Sequence, residues 1–137
     1  MVNRFTNDAA ARDIAATDRE DGRVTRRVCF QLQIKPERLD EYVARHSPVR
    51  AEMLEAIAAA GRHNYSLFLR PDGLLIGYFE TDDLEASRVA LSANPVTAVW
   101  EAEMADFFES VGTRADQELS VIREVFNLED QLTASRR

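Results

Sequence analysis

Apolar and polar residues alternate along "VTRRVCFQLQI" (24–34), with Val28, Phe30, Leu32 and Ile34 on one side and Arg27, Cys29, Gln31 and Gln33 on the other. A period of two predicts a half-buried strand. The pattern turns helical in "KPERLDEYVARHSPVRAEMLEAIAAAG", where Leu39, Tyr42, Val43 and His46 recur at i, i+3, i+4 and i+7 on one face. Pro36 opens this helix, Glu37, Asp40 and Glu41 suit its positive end, and Gly61 closes it. Pro48 has no N–H and disfavours helical geometry at Ser47, which predicts an interruption before the helix resumes over 49–60. Next, "RHNYSLFLRPDGLLIGYFET" holds two apolar-rich runs around "RPDG", a turn signal with Pro at the bend and Gly for positive φ. The prediction is a β-hairpin, in which strict alternation puts His63 and Tyr65 on one face and Asn64 and Ser66 on the other.

The stretch "DDLEASRVALSANPVTAVWEAEMADFFESV" reads as helix, capped by Asp82 or Asp83 and broken at Asn94-Pro95, and "ELSVIREVFNL" reads as a last strand. The order β-α-β-β-α-β predicts a ferredoxin-like α+β sandwich, an antiparallel sheet with helices on one face. A bare sheet face needs cover. In so small a domain a second copy supplies it, which predicts a homodimer of the dimeric α/β-barrel kind. Residues 1–23, a mixture of Ala, Asp and Arg, read as a flexible N-terminal extension, 24–128 as the domain and 129–137 as a polar C-terminal tail.

Composition narrows the partners. At 137 residues, 45% hydrophobic and 30% charged, the chain suits one domain with one core. A net charge of −7 argues against sequence-independent binding to nucleic acid and against docking on an acidic membrane. The single cysteine, Cys29, allows no intramolecular disulfide and no multi-cysteine metal site, and points to a reducing cytoplasm. The N-terminal residues lack the apolar core of a secretion signal, and nowhere do about 18 apolar residues run together, so the expectation is a cytoplasmic soluble protein.

No HExxH, GxSxG, GxxxxGK[ST] or paired-cysteine motif is present, which removes the commonest metalloprotease, hydrolase and nucleotide-binding chemistries. Tyr42, His46, His63, Asn64, Tyr65 and Trp100 remain as candidates. Tyr42 and His46 lie on neighbouring turns, about 6 Å apart at Cβ, so both can touch one ligand. Histidine exchanges protons near neutral pH, and a neighbouring phenol can hydrogen-bond a hydroxyl. The same pair also fits plain packing at the core edge. The interruption at Pro48 favours function, because a broken helix frees backbone groups and opens space beside the sheet. Trp100 suits either core packing or stacking on the C–H face of a sugar. The acidic residues of "DDLE" and "WEAEMADFFE" read as solvated helix faces.

Residues 24–128 resemble the L-rhamnose mutarotase family: "RVCFQLQIKPERLDEYVARHSPV", "GRHNYSLFL", "LLIGYFE", "NPVTAVWEAEM" and "EVFNL" follow its order and spacing. The most specific pieces are Tyr-x-x-x-His followed by Pro, and the His-Asn-Tyr strand start. The resemblance implies a dimeric ferredoxin-like subunit that interconverts the α and β anomers of a free sugar without metal or organic cofactor. It makes His46 the proton-donating residue, with Tyr42 sharing the catalytic site, and Tyr42, Tyr65 and Trp100 the sugar contacts. The chain departs from the family at Arg50 and Ala51, where tryptophan and proline are frequent, and at Glu101, where a second tryptophan often follows the first. Arg50 and Glu101 are expected to make the pocket more polar and to shift the sugar preference. The other reading is a dimeric α/β-barrel protein that binds a small apolar or haem-like ligand through His46.

Overall fold

The computed structural model describes residues 15–18, 24–109 and 120–136. Five strands, β1 (Ala15–Asp18), β2 (Val24–Gln33), β3 (Arg62–Leu69), β4 (Leu74–Thr81) and β5 (Ser120–Ile122), form one antiparallel sheet. β4 lies between β2 and β3. The far edge of β2 is shared end to end, with β1 opposite Val24 to Arg27 and β5 opposite Cys29 to Gln31. This is the ferredoxin-like arrangement that the β-α-β-β-α-β order predicts. The expected loose segment 1–23 thus contains a strand, and its residues 1–14 and 19–23 lie outside the described residues.

The alternation in β2 works as its sequence implies: Val28, Phe30 and Ile34 are buried under the helices, with Leu32 packed beside them. On β4 the covered set is Leu75, Gly77, Phe79 and Thr81. Gly77 pairs with Phe30, and a Cβ there would lie 2.1 Å from Phe30 Cζ, so the glycine makes room for the ring. The RPDG turn closes as expected. The Gly73 N–H donates to the Arg70 carbonyl at 2.9 Å, and Gly73 has φ +93°.

Four helices cover one sheet face: α1 (Leu39–Arg45), α2 (Ala51–Ala59), α3 (Leu84–Ala93) and α4 (Pro95–Met104). The interruption expected at Pro48 separates α1 from α2. Asp83 caps α3 through the Ala86 N–H at 3.0 Å, and Asn94 caps α4 through the Val96 N–H at 3.1 Å, with Pro95 in its first turn. Of the apolar stripe on α1, Tyr42 is buried but Val43 is 53% exposed, so the inward face is narrower than the spacing suggests.

Two expected elements are shorter. The second helical region ends at Met104, and a 3-10 turn over Ala105–Phe107 leads into an extended Phe108 bridged to Ile34. Backbone bonds from the Lys35 N–H to the Phe107 carbonyl (2.8 Å) and from the Glu109 N–H to the Gln33 carbonyl (3.0 Å) hold it there. Of the expected last strand, residues 120–122 form β5 and 118 and 119 lie outside the described residues, and the expected polar tail contains helix α5 (Leu128–Ser135). Arg27, on the uncovered face, ties this segment down: Nη2 lies 2.6 Å from Glu124 Oε1 and 2.6 Å from Asp130 Oδ2.

Candidate active site

His46 stands at the C-terminal end of α1. Had the helix continued, its backbone N–H would bond to the Tyr42 carbonyl. The chain tightens there, and the His46 N–H bonds to the Val43 carbonyl at 3.0 Å instead. The Tyr42 carbonyl is left for the His46 ring, whose Nδ1 lies 2.8 Å away. A carbonyl only accepts, so Nδ1 carries the hydrogen and Nε2 holds the lone pair of the neutral imidazole. Burial lowers the His46 pKa below the usual histidine value, and the bond to Tyr42 opposes that only in part. At neutral pH the ring is therefore a proton acceptor.

The ring is held between aromatics. Its centroid is 4.2 Å from that of Tyr42 and 5.3 Å from Trp100, nearly perpendicular to the indole. Tyr42 is fixed in turn by edge contacts to Phe107 and Phe108 at 5.8 and 6.2 Å. These are the residues that the early end of the second helical region swings under the sheet edge. Tyr65 rests on Phe79 at 5.2 Å and meets Phe30 edge-on at 6.3 Å.

Tyr42, His46, Tyr65 and Trp100 all line one cavity of about 290 Å³ between the helices and the sheet. His63 and Asn64 do not line it, although they adjoin Tyr65 in sequence. The expected shared face of His63 and Tyr65 is incorrect. The pairing of β3 with β4 shifts between His63 and Ser66, and Asn64 adopts φ 50°, a left-handed conformation that asparagine tolerates. This bulge leaves His63 opposite Glu80 on the uncovered face and turns Tyr65 into the cavity.

The departures from the family separate as well. Glu101 lines the cavity, whereas Arg50 does not; Arg50 Nη2 pairs with Glu103 Oε1 at 2.7 Å. The polar pocket expected of both residues therefore comes from Glu101 alone of the two. Sequence reasoning missed Arg62 and Thr97, both buried and both on the cavity wall. Arg62 donates from Nε to Ser87 Oγ at 2.7 Å and lies 4.3 Å over the Phe79 ring. The register that pairs Arg62 with Thr81 places it on the covered face, a signal that only strand pairing carries. Among the described residues no group of three His, Cys, Asp or Glu side chains is placed to hold a metal ion, and no helix is long and apolar enough to cross a membrane.

Fold and cluster together define a ferredoxin-like α+β protein with a small-molecule cavity equipped for proton exchange. The L-rhamnose mutarotase family model matches residues 27–128. An L-rhamnose mutarotase of Opitutus terrae is 38% identical over 90 residues, 65% of this chain and 85% of that protein. One of Sinorhizobium medicae is 33% identical over 102 residues, 72% of this chain and 94% of that protein. In fold, a crystal structure of an L-rhamnose mutarotase from Formosa agariphila matches with a TM-score of 0.59 at 21% identity, covering 74% of this chain and 97% of the other. The chain belongs to the L-rhamnose mutarotase family.

Proposed function

We propose that this protein is an isomerase that interconverts the α and β anomers of L-rhamnose or a related deoxyhexose, with His46 as the acid/base. One observation carries the assignment of His46. The Nδ1–H bond to the Tyr42 carbonyl leaves Nε2 as the basic atom of a ring that lines the cavity. Ring opening moves one proton. The anomeric O–H gives its proton to Nε2, the bond between C1 and the ring oxygen breaks as C1=O forms, and the imidazolium returns the proton to the ring oxygen. Both oxygens are bonded to C1, so one imidazole reaches both without leaving its place. Rotation about C1–C2 and the reverse steps close the ring as the other anomer.

Tyr42, stacked against His46, hydrogen-bonds the oxygen that becomes the carbonyl and is the second catalytic group. Trp100 stacks on the sugar's C–H face, and Tyr65 contacts it from the sheet. The lining supports a sugar over a haem-like ligand: phenols, a carboxylate and a threonine share the cavity with its apolar walls. The subunit works as a cytoplasmic homodimer. The sheet face away from α1 to α4 supports this, since Phe68 stands there 62% exposed.

Saturation-transfer NMR between the L-rhamnose anomers tests the reading. Exchange is accelerated by the wild type and lost in His46→Ala; equal rates in both overturn the assignment of His46, and no acceleration by the wild type overturns the activity. Light scattering at micromolar concentration checks the dimer, and a monomer mass rejects it.

A further inference from the structure

Thr97 lies in the first turn of α4, is 3% exposed, and lines the cavity. Its backbone N–H donates to the Asn94 carbonyl at 3.0 Å, yet its Oγ1, fully buried, has no hydrogen-bond partner among the described residues. A helical threonine ordinarily turns its hydroxyl back onto a carbonyl of the preceding turn. That bond is not made here. Buried hydroxyls without a partner are rare, because each has given up its bonds to water and received nothing in return. The cavity is where the missing partner can arrive.

Helix geometry says which part of a ligand arrives. Trp100 and Glu101 follow Thr97 at i+3 and i+4, so the three share one face of α4, and all three line the cavity. A ring stacked on Trp100 therefore lies beside Thr97 on the same helix face. Leu91 and Met104, also on this wall, offer no hydrogen bond. An apolar occupant would leave Oγ1 unsatisfied, whereas a sugar hydroxyl both donates and accepts and matches it.

We propose that Thr97 is a specificity-determining residue, which hydrogen-bonds one hydroxyl of the bound sugar and fixes the orientation of the ring on Trp100. The proposal rests on the mutarotase reading and adds to it the group that tells a hydroxylated ring edge from a bare one. Sites built to bond a hydroxyl discriminate strongly against analogues that lack it, since the protein's own group is then left unpaired.

The test uses the full chain with Thr97→Val, which keeps the shape and removes the hydroxyl, and Thr97→Ser, which restores it. Anomer exchange is measured across concentrations of L-rhamnose and of its 2-, 3- and 4-deoxy derivatives. For L-rhamnose, Thr97→Val is expected to raise KM about tenfold with kcat nearly unchanged, and Thr97→Ser to return KM toward wild type. With the one deoxy sugar that lacks the contacted hydroxyl, wild type and Thr97→Val are expected to share the same KM. The melting temperature of Thr97→Val is expected to hold or rise, because an unsatisfied hydroxyl has been removed. An active wild type with a Thr97→Val variant of unchanged KM overturns the role of Thr97 and leaves the mutarotase reading intact. So does a KM penalty equal on L-rhamnose and all three deoxy sugars. A wild type that neither binds nor interconverts any of these sugars overturns both.

Discussion

The two faces of the sheet share their strands but differ in how their polar groups are used. On the open face polar groups answer one another. Arg27 holds Glu124 and Asp130, and Tyr78 donates to Glu80 at 2.7 Å, which also accepts from Asn64 Nδ2 at 3.0 Å. Burial and the Glu80 carboxylate push the Tyr78 phenol well above its ordinary pKa, so it stays a donor. On the covered face Phe79, Leu75, Val28 and Ile34 pack nearly without exposure, and the polar atoms on that side of the sheet include Thr97 Oγ1, which has no partner among the described residues, and His46 Nε2, the basic atom of its ring. Mutual satisfaction marks scaffold, and unused hydrogen-bonding capacity beside a cavity marks the site.

Substitutions on the two faces should therefore dissociate activity from stability. The largest effect is expected for His46→Ala, with anomer exchange reduced about 10²- to 10⁴-fold, the usual weight of a positioned acid/base, and little change in unfolding by urea. Arg27→Ala should do the opposite. Its side chain is 9% exposed and engages two carboxylates, so its loss is expected to cost about 2 kcal/mol in urea denaturation while exchange per folded molecule stays at the wild-type rate. If Arg27→Ala abolished exchange in folded protein, the division between the faces would fail.

Gly77→Ala tests the covered face, where core packing and cavity wall share the Phe30 ring. The new Cβ would press on the Phe30 ring, and Phe30 also lines the cavity. Overpacking of about 1–3 kcal/mol is expected, with a raised KM for L-rhamnose, by thermal unfolding and exchange kinetics. Thermal unfolding and a KM both unchanged would show that the ring moves aside freely.

How much of this could be read from the chain depends on the range of the forces involved. The β2 alternation, the RPDG turn, the Asn94-Pro95 restart and the break at Pro48 are local, and each is visible in a few residues. The tyrosine–histidine pair was visible for the same reason. The bulge at Asn64 was not, since it needs the register with β4 as well as asparagine's tolerance of positive φ. The end of the second helical region was hidden too: "ADFFESV" carries no helix breaker, and what extends Phe108 is bonding to Gln33 and Lys35, far away in sequence. Arg50 looked like a pocket residue because it stands where the family often has tryptophan, but its carboxylate partner lies 53 residues on. An unpartnered hydroxyl such as that of Thr97 has no sequence signature at all.

The smallest expected effect, a pH dependence, bears on the covered face alone. Burial lowers the His46 pKa below its unfolded value of 6.5, so between the two values the unfolded chain binds more protons than the folded one. This contribution to stability is then fully present above pH 6.5 and is lost as pH falls through the folded value. The same titration removes the base, so kcat/KM for anomer exchange should be flat above neutrality and fall on acidification with a midpoint below 6.5. Nitrogen-15 NMR of the imidazole should show a protonated Nδ1 and a bare Nε2 on the plateau. An activity midpoint at or above 6.5 would mean that burial does not govern this titration, and the opposite tautomer would mean that the bond to the Tyr42 carbonyl does not set the base and that the early tightening of α1 has some other cause.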